Sequence, residues 1–362
     1  MNYLTRTRHS VLVVGGSGFI GGAVVRALLR TTTDDAPAPT APGAPAFGTG
    51  TRGAPGTPAV TVLCRRPPEP PARDPRLRYV TGDLTDPRTL RGVCSGATTV
   101  VHAASYVGGD ADRCREINHL GTLALLEEAR RAGVRRLLYV STAAVYGSGP
   151  HRGPTEEETV PAPQSAASAS RLAAEHAVLR AGGLVLRPHL VYGPGDRWFV
   201  PTLARLLHLV PCWPREPSAH SSVVHVDDLA ATVAALVGED TEGEGSGLGE
   251  GAGGGIGGGA GGGVFHVAHP RPESAADLVA TTALRLGLPA PDDVSAAEHR
   301  RLTARAVPAL SAHQYDLLTQ DHWYDSSRIL RRTGVEPGPG FAARFPECAD
   351  WYRKHLAGVP TG

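Results

Sequence analysis

Ser10–Val14 is a short β-branched apolar run that breaks at Gly15, Gly16, Ser17 and Gly18 and resumes at helical spacing from Ile20 to Leu29. Strand, tight turn and helix in that order restrict the chain to folds built on a βα unit. The glycines have the spacing Gly15-x-x-Gly18-x-x-Gly21. In this context the first glycine permits the turn, the second lets backbone approach a pyrophosphate, and the third lets the helix lie close on its strand. Gly15, Ser17, Gly18, Phe19, Ile20 and Gly21 are therefore the expected cradle for a dinucleotide, with a purely structural turn as the alternative.

Further apolar strands are read at Ala59–Cys64, Leu77–Thr81, Thr99–His102, Arg136–Ser141, Leu184–Arg187 and Val264–Ala268, with helices over Ala111–Ala132 and Gln164–Ala181. This alternation predicts an α/β fold, a Rossmann-type doubly wound parallel sheet. After Val191 it loosens into helices at Pro201–Val210, Ala275–Leu286 and Ser295–Ala306, which predicts a smaller, mostly helical C-terminal lobe over the strand ends, where such folds bind ligands. Residues 1–190 with 221–268 form the expected nucleotide-binding domain, and 191–220 with 269–362 the substrate lobe. Two segments, 31–58 rich in Pro, Ala, Gly and Thr and 242–263 rich in Gly, read as disordered insertions.

Composition narrows the partners. The 36 basic and 35 acidic residues nearly cancel and aromatics make up 5%, which implies no electropositive face for nucleic acid. Cys64, Cys94, Cys114, Cys212 and Cys348 lack CxxC spacing, and His266 and His269 lack a third ligand at useful spacing, so neither a metal site nor a disulfide framework is expected. No apolar run reaches the roughly 18 residues of a membrane helix. The expectation is a cytoplasmic protein, monomer or homodimer, acting on a small molecule.

The strand ending at Cys64 should present its next residues to the adenosine ribose. An acid there would favour NAD; Arg65 and Arg66 instead suit the 2′-phosphate of NADP(H), unless they merely solvate a loop.

Several later segments resemble the extended short-chain dehydrogenase/reductase family, in its 3β-hydroxysteroid-dehydrogenase-like and sugar-epimerase-like branch, over nearly the whole chain. Gly82-Asp83-Leu84 is similar to the family's adenine contact, Val101-His102-Ala103-Ala104 to the strand under the cofactor ribose, and Asn118-x-x-Gly121-Thr122 to its helix motif. Leu186-Arg187-Pro188, Val191-Tyr192-Gly193-Pro194-Gly195 and His225-Val226-Asp227-Asp228-Leu229 are similar to downstream markers. The resemblance implies cofactor contacts at Asp83, Leu84, Ala103, Ala104 and Pro188. Ser141-Thr142-Ala143-Ala144-Val145-Tyr146-Gly147 resembles the strand end that bears the catalytic hydroxyl, here Thr142.

At the family's spacing from Thr142, the proton-donating tyrosine falls on Ala167 and its partner lysine on Arg171, with Ser170, Ala174 and Glu175 matching the flanks. No tyrosine occurs between Tyr146 and Tyr192, so no shift of register supplies one. Arg171 can hold ribose hydroxyls, but a guanidinium that stays charged is a poor proton relay. Thr142 either donates to a developing alkoxide or satisfies backbone at the strand end. Tyr106 and His189 are the replacement acids to consider, whereas His102, Tyr146 and Tyr192 read as ordinary parts of the frame. Ser105, Tyr106, His189, Trp198, Phe199 and Trp213 are the expected substrate contacts, the last three as an aromatic wall or as core.

A reductase without its acid can act on a substrate that carries one. A polycyclic aromatic polyketide whose ketone is hydrogen-bonded to a phenol fits, and the chain is similar in this respect to atypical angucyclinone ketoreductases of antibiotic biosynthesis. The expectation is an NADPH-dependent ketoreductase of an aromatic ketone. A non-redox lyase or cyclase on the same frame, or a decayed NADP-sensing binding protein, are the alternatives.

Overall fold

The computed structural model describes residues 10–34, 59–69, 74–214, 219–239 and 262–357. Seven strands form one parallel sheet: β1 (Val11–Val14), β2 (Val60–Cys64), β3 (Leu77–Thr81), β4 (Thr99–His102), β5 (Arg136–Val140), β6 (Leu184–Pro188) and β7 (Gly263–Val267), in the order β7-β6-β5-β4-β1-β2-β3. All six strand pairs are parallel. Every residue of β1 and β2 is buried, as expected of strands covered by helices on both faces.

One face is covered by α1 (Phe19–Asp34) and by α5 (Val226–Gly238), which pack Val24, Leu28, Leu229, Val233 and Leu236 against β1, β2 and β7. The other carries α2 and α3 (Ala166–Arg180), contributing Leu125, Ala129, Ala174 and Val178. Helix α2 is a continuous run from Ala111–Cys114 through a π-helical stretch, Arg115–Leu120, into Gly121–Arg131. A wide turn of this kind inside a helix frequently marks a functional site.

The C-terminal lobe has its own core around α4 (Phe199–Leu209), α6 (Ala275–Leu286) and α10 (Pro346–Ala357), with α7 (Ala296–Ala306), α8 (Ala312–Thr319) and α9 (Ser327–Thr333) between the last two. The lobe also holds a small four-stranded sheet of two-residue strands, at Glu273–Ser274, His220–Ser221, His322–Trp323 and His151–Arg152.

The expected boundaries need two adjustments. Helix α1 continues to Asp34 and β7 begins at Gly263, so the ends of both expected insertions are regular structure; the remainder of each lies largely outside the described residues. Ile329 of α9 is fully buried in the core of the sheet, so this helix packs with the nucleotide-binding unit despite its late position. An apolar residue joins whichever core its helix touches, and sequence order does not decide that.

Candidate active site

Between β1 and β4 the strand order reverses, which opens a crevice at the carboxyl ends of the strands. Gly15 closes its floor at φ +84°, and a Cβ there would sit 2.7 Å from the Ala104 backbone nitrogen. A Cβ on Gly21 would lie 2.2 Å from the Gly15 carbonyl oxygen, so α1 rests directly on the loop. Gly18 meets nothing nearer than that same carbonyl, at 3.2 Å, which leaves its outer side open. The Gly22 N–H bonds to the Gly18 carbonyl at 2.9 Å, and helix geometry leaves the first-turn N–H groups of Phe19, Ile20 and Gly21 without intrahelical acceptors. Small residues against backbone beneath a helix N-terminus fit a dinucleotide pyrophosphate.

The pairing of Val14 with Leu63 places Arg65 and Arg66 beside this loop, both exposed. Asp83 is less free than expected: its Oδ1 accepts from the Thr85 N–H and hydroxyl, each at 2.9 Å, so only the second oxygen remains for an adenine amine. Leu84 packs on α2, where a Cβ on Gly121 would meet its own Cβ at 2.7 Å. The Ala103 N–H bonds to the Val14 carbonyl at 2.9 Å, fixing the exit of β4 under the crevice.

Helix α3 starts at a fixed place. The Ser165 hydroxyl accepts from the Ser168 N–H and the Ser168 hydroxyl from the Ser165 N–H, both at 3.1 Å, a capping box two residues before Ala167. Ala167 and Arg171 are half-buried and stand one turn apart. Farther along, Glu175 and Arg187 of β6 form a buried ion pair, and an Arg187 N–H donates to the Tyr146 hydroxyl at 2.8 Å. The register of α3 is therefore held from both ends.

Arg171 turns inward. One guanidinium N–H donates to the Val140 carbonyl at 3.1 Å, and Nε is buried with no hydrogen-bond partner among the described residues. Beneath it lie His102 and Tyr139, with ring centroids 5.1 Å apart. Burial, helped by the Arg171 charge, pushes His102 down to about 3, and burial pushes Tyr139 up to about 12 against that charge. Both rings are thus neutral near pH 7. His102 Nε2 contacts the Thr122 hydroxyl at 2.9 Å.

Thr142 caps the short helical turn Ala143–Tyr146, its hydroxyl oxygen accepting from the Ala144 N–H at 3.1 Å. The backbone role and the catalytic one are compatible, because an accepting hydroxyl still has its own proton to donate.

Asn118, in the π stretch, ties the substrate side together. Its Oδ1 accepts from the Tyr106 N–H at 2.6 Å, and its Nδ2 donates to the Tyr106 carbonyl at 2.8 Å and to the Ser170 hydroxyl at 2.9 Å. Ser170 in turn donates to the Ala167 carbonyl at 3.0 Å. The loop of exposed Ser105 and half-buried Tyr106 is thereby anchored to the turn of α3 that carries Ala167. The Tyr106 ring folds over its own loop, with Arg113 stacked 4.7 Å from its centroid. Arg113 is a neighbour that sequence reasoning missed, since only the folded loop joins them.

The expected aromatic wall is corrected. Phe199 and Trp213 are 1% and 3% exposed in the core of the lobe, and Trp198 packs against that core. A lobe of short helices needs large apolar side chains in its interior, and Trp213 has its ring 4.7 Å from His299. His189, immediately after Pro188 at the end of β6, stacks on His322 at 5.3 Å, and burial together with the neighbouring His322 holds it well below the usual imidazole range. His266 contacts the Tyr146 hydroxyl at 2.6 Å, and His269 Nε2 the Gly338 carbonyl at 3.2 Å. Among the described residues no group of three or more His, Cys, Asp or Glu is arranged to hold a metal ion, and no helix is long and apolar enough to cross a membrane.

Comparison with known proteins decides the family. The model of the NAD dependent epimerase/dehydratase family matches residues 11–247. The chain belongs to that family. It is 28% identical over 366 residues to sterol demethylase protein B of Methylococcus capsulatus, covering 95% of this chain and 98% of the relative. It is 31% identical to the ceramide reductase of Caulobacter vibrioides over 64% of this chain and 62% of that one. Among solved structures, the dTDP-glucose 4,6-dehydratase DesIV of Streptomyces venezuelae, with NAD and TYD bound, superposes with a TM-score of 0.66 at 24% identity, over 97% of this chain and 99% of DesIV. This family member is an oxidoreductase of the epimerase/dehydratase type with the Rossmann fold of these relatives.

Proposed function

We propose that the chain is an NADPH-dependent ketoreductase whose substrate, an aromatic polyketide ketone of the angucyclinone type flanked by a phenol, brings its own acid, in a pathway of antibiotic biosynthesis. The observation that carries this reading is the half-buried Ala167 at the position of the family's tyrosine, on a helix whose register is fixed at both ends. Bound NADPH would supply hydride to the carbonyl carbon. The residues divide the remaining tasks. Gly15, Gly18 and the α1 N-terminus receive the pyrophosphate, and Arg65 and Arg66 the 2′-phosphate. Pro188, with Asp83, Leu84, Ala103 and Ala104, completes the cofactor contacts. Thr142 donates a hydrogen bond from its free O–H to the carbonyl oxygen as charge develops. Arg171, fixed on the Val140 carbonyl, contributes charge and N–H groups toward the ribose.

A carbonyl already hydrogen-bonded to a phenol is both electrophilic and supplied with a proton. Positioning then does most of what remains. Ser105, Tyr106 and His189 form the substrate side, with Trp198 at the edge of the lobe core. A flat multi-ring ketone also agrees with relatives named for sterol substrates, among them the sterol-4-alpha-carboxylate 3-dehydrogenase of Candida albicans, 29% identical over 55% of this chain. The test is reduction of hydroxylated anthraquinone-type ketones with deuterated NADPH. Deuterium on the carbinol carbon is the expected result; a panel that consumes no NADPH would remove the proposal.

A further inference from the structure

The ends of β5, β6 and β7 and the small sheet of the lobe enclose a cluster of rings: Tyr146, His151, His189, His266, His322 and Tyr324. Most of their polar atoms are accounted for. His266 Nδ1 faces the Asp325 carbonyl at 3.2 Å, so that nitrogen carries the proton and Nε2 accepts from the Tyr146 hydroxyl. The Gly149 N–H can only donate, so His322 Nε2 accepts from it at 3.1 Å, and Nδ1 gives its proton to the Gln320 carbonyl at 3.1 Å.

Three atoms remain. His151 Nε2, His189 Nε2 and the Tyr324 hydroxyl are buried and have no hydrogen-bond partner among the described residues. They belong to rings that share neighbours: His151 and His189 lie 5.6 and 5.9 Å from Tyr324 and 5.5 and 5.3 Å from His322. Buried polar atoms are rarely left unsatisfied, and a buried water is held by two to four of them. The spot is also next to the chemistry. Val140 pairs with Leu186, so continuing the register brings Thr142 beside Pro188, and His189 follows.

We propose that His151, His189 and Tyr324 hold one buried water, and that through it the half-buried His189 relays protons to the site of carbonyl reduction. The relay, though not the water site, rests on the ketoreductase reading. Bound NADPH would supply the hydride, with its two electrons, that forms the new C–H bond. The alkoxide oxygen takes the proton of the substrate phenol, whose O–H bond breaks. The phenolate recovers a proton from the water at His189, and that water is recharged from solvent through the imidazole. Net addition is one hydride and one proton.

A high-resolution crystal structure of the whole protein without ligands tests the site itself. The expected result is one ordered water within hydrogen-bond distance of at least two of the three atoms; a dry site, or three protein-paired atoms, would overturn the proposal. His189→Ala tests the relay and is expected to lower turnover by at least about tenfold, with partial recovery on adding free imidazole. Should that variant fail to fold, Tyr324→Phe keeps the ring and removes one water partner, and it is expected to lose the ordered water and slow turnover. Unchanged turnover in both variants, with ketones still reduced by the wild type, refutes the relay alone. A hydrated site in a protein that reduces no ketone instead removes the ketoreductase reading, and the relay with it.

Discussion

The two sides of the crevice at the sheet's carboxyl edge use their side chains differently. On the β1–β2 side, close backbone contact fixes the residues: Gly15 against Ala104, Gly21 against Gly15. A larger residue at either position would displace the loop or the helix. On the β5–α3 side, the frame is held by Glu175, Arg187, Ser165 and Asn118, none of which is the residue that would do chemistry. Ala167 is half-buried and its side chain carries none of these contacts. The nucleotide side therefore cannot lose its small residues without losing its shape, whereas the acid can vanish from α3 and leave the fold intact.

Substitutions can break that comparison. Glu175→Ala should have the largest effect on stability, about 3–5 kcal/mol in denaturant unfolding, because it leaves Arg187 charged and buried without its partner. A neutral effect would mean that α3 is held by something else.

Acidification should act next. Burial holds His266, His299 and His322 down to about 4. Each is depressed below its unfolded value of 6.5, so its contribution is full above that value and is lost as pH falls toward 4. Between pH 6.5 and 5 this is at most about 2 kcal/mol per histidine, read as a fall in the thermal midpoint. A midpoint flat down to pH 5 would contradict it.

On the nucleotide side, Gly21→Ala should cost about 1–3 kcal/mol through overpacking against the Gly15 carbonyl and should abolish cofactor binding measured by calorimetry. Arg65→Ala should weaken NADPH about tenfold and leave NADH unchanged, the loss of one charge-assisted hydrogen bond. Equal effects on both cofactors would mean that the arginine serves only the loop.

The sequence records short-range interactions and hides long-range ones. The strands, the glycine turn and the absence of tyrosine at Ala167 are local, and periodicity and spacing record them well. The π stretch at Arg115–Leu120 is not, because a run such as Arg-Glu-Ile-Asn-His-Leu has no pattern that separates i+5 from i+4 bonding. Phe199 and Trp213 read equally as pocket wall or as core, because a sequence shows an aromatic ring without showing which side of it is buried. Tyr146, His266 and Tyr324 meet only when β5, β7 and the lobe close on one another, so the cluster has no local signature in the sequence. The Asp83–Thr85 contact is itself local, since an aspartate two residues before a threonine in a turn is a recognisable motif.

On this mechanism the substrate supplies the acid that Ala167 cannot. That role is tested most directly by comparing, under saturating NADPH, the reduction of a hydroxyaryl ketone with that of its O-methyl ether, in the wild type and in Ala167→Tyr. Methylation is expected to slow the wild type by about 10²- to 10⁴-fold, the usual worth of a positioned acid, and Ala167→Tyr to give the free phenol no large gain. Equal rates for phenol and ether, or a gain of several hundred-fold (roughly a full general-acid contribution) in Ala167→Tyr with the phenol, would contradict it.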